Sequence, residues 1–363
     1  RPARMVALAT GLVTATSIIA IRSTNFALIL RKLASRHYFE VETGLAFNML
    51  EWIKNNNDLL STVLVMLIAL TPMIFISRIR RFNLAAAAMG MLLCFYAYEI
   101  GAAAEMIYIT RNFFGIKSVT IIPKTSVRTL YHGSTNHGAQ DFAPQRRQIP
   151  LTYFHREGPA GDIFALPVAQ HEAFKVGIIG LGVGSLVTYA RPGNEFTFYE
   201  IDPDIIDMVS GENPIFSFVY EQASQTRIIS GDGRLKLQEA PVNYYDMIVL
   251  DAFSSDAIPM HLITNEALQI YLTRLQPEGV LALHISNRYL DLLPVLKNMA
   301  EKNSLKALFT HDHTFNAAEP ANYLRERCTY VVMARSDASI ATLKAVKNKT
   351  WQELPADLPE VPL

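Results

Sequence analysis

Apolar residues fall into two textures along this 363-residue chain. Residues 59–77, LLSTVLVMLIALTPMIFIS, are 19 consecutive uncharged positions, close to the roughly 20 that carry a helix across about 30 Å of hydrocarbon. Pro72 would kink that helix, which membrane helices tolerate because neighbours re-satisfy the freed carbonyl. Residues 84–110 are apolar and small-residue rich, interrupted only by Glu99 and Glu105, and residues 5–21 run uncharged between Arg4 and Arg22. The alanines and glycines would allow close helix contact in a bundle, and the two glutamates must face protein, water or the interface. Residues 37–57, with Trp52 and mixed charge, read as an interfacial amphipathic helix. The pattern predicts a helical membrane anchor over residues 1–110 with two or three spans; a buried helical bundle of a soluble protein is the other arrangement such runs permit.

From residue 111 the texture changes to short β-branched runs, FFGIKSVTIIP and SVRTLYHG, broken by Gly, Pro and Asn. They predict a small β subdomain over 111–165. Apolar strands then alternate with helices: KVGIIG, a helix from Ser185, FTFYEID, a helix after Pro203, TRIIS, a helix from Arg234, YDMIVLDAF, a helix over 264–275, VLALHIS, a helix over 289–302, KALFTHD and TYVVMAR. That alternation predicts an α/β, mostly parallel, doubly wound sheet over residues 166–336. The polar, Pro-rich residues 337–363 read as a peripheral tail.

Composition sharpens the division. The formal net charge is zero, yet residues 1–110 hold 10 Lys and Arg against 6 Asp and Glu, whereas residues 111–363 hold 23 against 27. Half of the residues are hydrophobic and 18% are charged, which excludes a disordered chain and gives no basic surface for nucleic acid. The positive part suits an anionic bilayer surface. Arg78, Arg80 and Arg81 argue for a cytoplasmic loop, although two flanking spans would then place residue 111 outside. The chain begins at Arg1 rather than Met, so a processed or excised chain is expected, with room for segments upstream. Cys94 and Cys328 are too few and too separated for a disulfide framework or a zinc cluster.

The first strand of the alternating region runs into Gly180, Leu181, Gly182, Val183, Gly184 and Ser185, where glycines let the backbone turn and approach a ligand. The spacing lacks the third glycine of the dinucleotide fingerprint. Glu200 ends the next strand, 20 residues after Gly180, where a carboxylate can take both hydroxyls of a ribose. Asp202 is expected to cap the helix that starts near Pro203. The third strand delivers Gly231, Asp232 and Gly233, which suit an exocyclic adenine amine, and the fourth ends at Asp251 with Asp256 five residues on. These features converge on the crevice where open α/β sheets bind ligands. The ligand reads as an adenosine with something reactive near Asp251. His132 and His137 bracket a turn without an evident third ligand, and no metal is expected.

The stretches RNFFGIKSV, HGSTNHGAQ, LTYFHREGPAGDIF, GLGVG, YEIDP, SGDGR and YDMIVLDAFSSDAIPMHLITNEAL are similar in order and spacing to the spermidine synthases, the polyamine aminopropyltransferases. The resemblance covers about residues 111–335 and is greatest to the membrane-fused spermidine-synthase-like branch. It implies a Rossmann-like class I methyltransferase-type domain with a small N-terminal β subdomain. It also implies attack of an amine on the aminopropyl carbon of decarboxylated S-adenosylmethionine, with release of methylthioadenosine.

Carried over residue by residue, the resemblance makes Asp251 the base and Asp256 the second carboxylate, with His155 and Tyr153 at the sulfonium or amine. It places Glu200 on the ribose, Asp232 with Gly233 on the adenine, and Gln140 on the nucleoside side, beside the loop of Gly180, Gly182 and Gly184. A polyamine is an ammonium at pH 7 and must be held by carboxylates and deprotonated before it attacks. Val183 stands where the family's loop carries an aspartate, so intact S-adenosylmethionine is the other expected co-substrate. Methyl or aminocarboxypropyl transfer, cleavage to methylthioadenosine, and a non-catalytic nucleoside sensor are the alternative functions. The expected partners are a small-molecule amine acceptor, free or membrane-resident, and the lipid bilayer; the resemblance leaves room for a homodimer. The expected location is the cell inner membrane, multi-pass, with a cytoplasmic catalytic domain.

Overall fold

The computed structural model describes residues 105–122, 125–253, 257–287, 290–316, 319, 322–346 and 351–358, within a compact unit spanning Ala104–Leu363. The runs over 5–21 and 59–77, the stretch 37–57, and residues 84–104 lie outside the described residues. Among the described residues no helix is long and apolar enough to cross a membrane.

Strands β1 (Glu105–Asn112), β2 (Gly115–Ile121), β3 (Val127–His132) and β4 (Thr135–Asp141) form a four-stranded antiparallel meander in chain order. Strand β1 corrects the boundary expected at residue 110. Ile107, Tyr108, Ile109 and Thr110 are β-branched or aromatic and suit a pleated surface, and the strand pairs Glu105 with Ile121 and Asn112 with Gly115. A membrane helix over 84–110 therefore cannot include its last six residues.

The second sheet holds β5 (Lys175–Ile179), β6 (Glu195–Glu200), β7 (Thr226–Ser230), β8 (Tyr245–Leu250), β9 (Leu275–His284), β10 (Lys306–Asp312), β11 (Cys328–Ala334) and β12 (Gln352–Glu353). Its order is β12-β10-β11-β9-β8-β5-β6-β7. The five strands from β9 to β7 are parallel, while β11, β10 and β12 run antiparallel to their neighbours. Helix α1 (Pro159–Phe164) precedes β5, and between the strands lie α2 (Pro203–Ser210), α3 (Phe218–Glu221), α4 (Gly233–Gln238), α5 (Asn265–Arg274) and α6 (Leu293–Lys302). The central strands read as unbroken apolar runs because both faces are covered. Val176, Ile178, Phe196, Phe198, Met247 and Val249 enter one core cluster. Ile179, Tyr199, Ile248 and Leu250 enter the other, following the two-residue period of a strand.

Two further expectations change. The helix expected from Ser185 is a five-residue 3₁₀ segment, Ser185–Tyr189, stopped by Pro192 and Gly193 ahead of β6. The tail is not merely peripheral: Ile340, Leu343 and Trp351 are buried in the first cluster, the Trp351 indole donates to Asp162 at 3.0 Å, and Gln352 and Glu353 pair with β10 as an edge strand.

The small sheet is tied to the large one by a buried cation. Lys117 of β2 is 1% exposed and ion-pairs with Asp202, which is itself buried. Its ammonium also donates to Asn112 Oδ1 at 2.6 Å, and Asn112 Nδ2 donates to Asp202 Oδ1 at 2.7 Å. Asp202 in turn caps α2 by accepting from Asp204 N–H, which the sequence led one to expect.

Candidate active site

Strand β5 lies between β6 and β8, and the strand order reverses about it, so the crevice beyond the carboxyl ends of β8, β5, β6 and β7 is the switch point of the sheet. The loop after β5 fills its floor. Gly180, Gly182 and Gly184 all have positive φ, at +99°, +52° and +80°. At Gly180 the requirement is double, because a Cβ there would stand 2.2 Å from the Asp251 carbonyl oxygen. Asp251 N–H donates to Ile179 O at 2.9 Å, so the glycine loop and the end of β8 are locked together. The Ser185 hydroxyl, directly after the loop, is buried with no partner among the described residues. An orphaned donor at a loop that a backbone can approach closely fits a polar ligand.

Glu200 ends β6 and is 8% exposed. Its Oε2 accepts from Leu181 N–H of the glycine loop at 2.9 Å and its Oε1 from Asp202 N–H at 2.8 Å. Burial pushes its carboxyl up to about 7, against the downward pull of those backbone donors. Asp232, beyond β7, caps α4 through Leu235 N–H at 3.0 Å, and its other oxygen meets His261 Nε2 at 2.9 Å; Gly233 is the first residue of that helix.

Asp251 follows β8. Its Oδ1 is 2.7 Å from Nδ1 of His284, the last residue of β9. His284 Nε2 is 2.8 Å from Ser286 Oγ, which accepts Thr329 N–H at 2.9 Å. The imidazole is enclosed by rings: Tyr330 stacks on it at 4.6 Å, with Tyr153 at 4.7 Å and Phe253 at 5.0 Å. Burial raises the Asp251 carboxyl above its ordinary range, and the His284 hydrogen bond works the other way. His284, Ser286, Phe253 and Tyr330 were not singled out from the sequence. The signal was present in VLALHIS, since His284 and Ser286 are two residues apart at a strand end and so share a face.

Tyr153 is therefore brought to the Asp251 cluster, with its hydroxyl donating to Asn136 O at 3.0 Å. It follows Thr152, a β-branched residue at φ +59°, whose backbone is clamped by Leu324 O at 2.9 Å and Glu326 N–H at 3.2 Å. His155 is buried and its Nδ1 accepts Glu157 N–H at 3.1 Å, within its own turn. Gln140 is fully buried with its amide committed: Nε2 donates to Ser217 Oγ at 2.8 Å and Arg147 O at 3.1 Å, and Oε1 accepts Ser217 N–H at 2.8 Å. It is a support for the segment ahead of α3 rather than a free ligand contact. Asp256 lies outside the described residues. Val183 is fully buried, and a Cβ on Gly138 of β4 would stand 2.7 Å from its Cγ2, so that loop position faces the small sheet. His132 and His137 have rings 5.4 Å apart, and no group of three or more metal-ligating side chains occurs among the described residues.

No family model matches the chain. Among curated proteins it is 33% identical over 143 residues to the polyamine aminopropyltransferase of Vibrio vulnificus, covering 38% of this chain and 44% of that protein. It is 25% identical over 238 residues to a probable polyamine aminopropyl transferase of Bifidobacterium longum, covering 64% of this chain and 47% of that protein. By these matches the chain is similar to polyamine aminopropyltransferases. It spans less than half the length of these two relatives. A crystal structure of a probable spermidine synthase from Corynebacterium glutamicum superposes with a TM-score of 0.50 over 72% of this chain and 97% of that one, at 12% identity. At that identity the likeness concerns the fold alone.

Proposed function

We propose that this chain transfers an aminopropyl group from decarboxylated S-adenosylmethionine to an amine acceptor, releasing methylthioadenosine. The observation that carries the reading is the placement of Asp251, the Gly180 loop, Glu200 and Asp232 at the carboxyl ends of four adjacent parallel strands, β8, β5, β6 and β7. The names of the two curated relatives support it.

Glu200 would accept the ribose hydroxyls, Asp232 and Gly233 would face the adenine, and the glycine loop with Ser185 would receive the nucleoside. The donor supplies a sulfonium, already a good leaving group. Asp251 would hold the acceptor ammonium and take its proton. The N–C bond then forms as the C–S bond breaks, and the electron pair goes to sulfur to give a neutral thioether. Tyr153 forms an aromatic wall that favours a cation, and His155 lies in the same segment. Orientation of two bound substrates supplies much of the rate.

The apolar runs over 5–21, 59–77 and 84–104 are read as a multi-pass inner-membrane anchor with the catalytic unit in the cytoplasm, which allows a free or a membrane-resident amine as acceptor. Val183 favours a second reading, in which intact S-adenosylmethionine is used. Its buried side chain presents no carboxylate to repel the carboxylate of the intact donor.

Detergent-solubilised full chain, incubated with each donor form and a panel of amines plus a membrane extract, distinguishes the readings by product mass. Methylthioadenosine formed only with the decarboxylated donor, together with an aminopropylated amine, is expected. S-adenosylhomocysteine would establish methyl transfer instead, and methylthioadenosine from the intact donor would establish the second reading.

A further inference from the structure

We propose that His284 is a positioning residue that holds Asp251 ionised and leaves one carboxylate oxygen for the acceptor, with its tautomer set by Ser286. This rests on the reading of Asp251 as the base and extends it.

The hydrogen-bond partners of His284 suit the tautomer that carries its hydrogen on Nδ1. Thr329 N–H donates to Ser286 Oγ at 2.9 Å, which leaves the Ser286 hydroxyl able to donate to His284 Nε2, 2.8 Å away. An Nε2 that accepts is unprotonated, and the neutral imidazole then carries its hydrogen on Nδ1. That hydrogen lies on the 2.7 Å line to Asp251 Oδ1. Asp251 Oδ1 is thus occupied by a fixed donor, while Oδ2 has no hydrogen bond among the described residues. The ring cannot turn away, because Tyr330, Tyr153 and Phe253 enclose it.

The arrangement answers a specific difficulty. A carboxylate that must deprotonate an ammonium cannot be left uncompensated in a buried aromatic setting, where it would take up a proton and lose its function. A neutral histidine supplies a donor without adding a competing cation. The titratable groups facing the pair are the Tyr153 and Tyr330 hydroxyls, with Cys328, Tyr189 and Glu326 beyond them. Both tyrosines are pushed above their ordinary range by burial, so they stay neutral near pH 7. Tyr330's hydroxyl is buried and has no partner among the described residues.

The test uses the full chain in detergent and needs no turnover. Nitrogen NMR of ¹⁵N-histidine protein reads the tautomer of His284, assigned by its loss in His284→Phe. Carbon NMR of ¹³C-aspartate protein reads the titration of Asp251, assigned by its loss in Asp251→Asn. An Nδ1–H tautomer at neutral pH is expected, along with an upward move of the Asp251 midpoint by about tenfold in proton affinity or more in His284→Phe, which keeps a ring in the stack. His284→Asn, which retains a side-chain donor, should restore part of the shift. Ser286→Ala leaves the ring in place and should let the Nε2–H form appear. An Nε2–H tautomer or an imidazolium in the wild type, or an unchanged Asp251 midpoint in His284→Phe, overturns the proposal. If the tautomer and midpoint behave as expected while no amine is ever aminopropylated, the reaction assignment fails and the positioning device stands.

Discussion

Gly180 and Asp251 approach each other so closely that no side chain fits between them: a Cβ on Gly180 would lie 2.2 Å from the Asp251 carbonyl oxygen. The glycine loop and the strand end that carries Asp251 therefore move as one piece. Gly180→Ala should cost both the strain of φ +99° and a backbone displacement at Asp251, on the order of 2–4 kcal/mol in sum. Chemical denaturation measures the loss, and calorimetric titration with methylthioadenosine should show weakened nucleoside binding. A stability within 0.5 kcal/mol of wild type, roughly the surface-substitution range, would contradict the contact.

Glu200 should make stability depend on pH in an uncommon direction for a carboxylate. Its folded-state carboxyl sits at about 7, above the 4.5 of an unhindered glutamate, so the folded state binds the proton more tightly. The contribution is fully present below pH 4.5 and is lost as pH rises through 7. Its ceiling is about 3 kcal/mol. Denaturation midpoints at pH 5 and pH 8 should differ by less in Glu200→Gln than in wild type. Nucleoside affinity should run the other way, strengthening as pH rises through 7, because ribose hydroxyls donate to the ionised form.

Lys117 is the next point of leverage. Lys117→Met removes the cation that faces buried Asp202 and Asn112, and an uncompensated buried carboxylate costs about 3–5 kcal/mol. Hydrogen exchange should quicken over Glu105–Ile121 more than in β5 to β9. Adding Asp202→Asn should recover part of the stability, since it removes the stranded charge. Equal loosening of both sheets would show that Lys117 does not tie one to the other.

Much of the large sheet was legible because its strands are apolar runs between helices, and an acidic residue after such a run marks the crevice. The strand-end positions of Glu200, Asp232 and Asp251 were legible that way. Less visible was what already engages them. That Glu200 accepts two backbone N–H groups, that Asp232 caps α4, and that Gln140 spends its amide on Ser217 depend on residues brought together by folding. His284 closes an apolar strand, where a single histidine looks like core. The burial of Lys117 was invisible for the same reason, since a lysine in a short hairpin is ordinarily solvated. The tail misled by composition: its Pro and polar residues suggested periphery, yet Ile340, Leu343 and Trp351 reach the core. Strand β1 was absorbed into an apolar run because Ile, Tyr and Thr after an Ala-Gly segment do not announce a change of period.

Asp251 is the proposed base. The decisive measurement compares wild type with Asp251→Asn in the full chain, following methylthioadenosine and aminopropylated amine by mass spectrometry alongside calorimetric binding of methylthioadenosine. Nucleoside affinity within about threefold of wild type and a rate lowered at least about 10²-fold, the usual scale for a lost general base, is the predicted result. A rate unchanged by Asp251→Asn would contradict it.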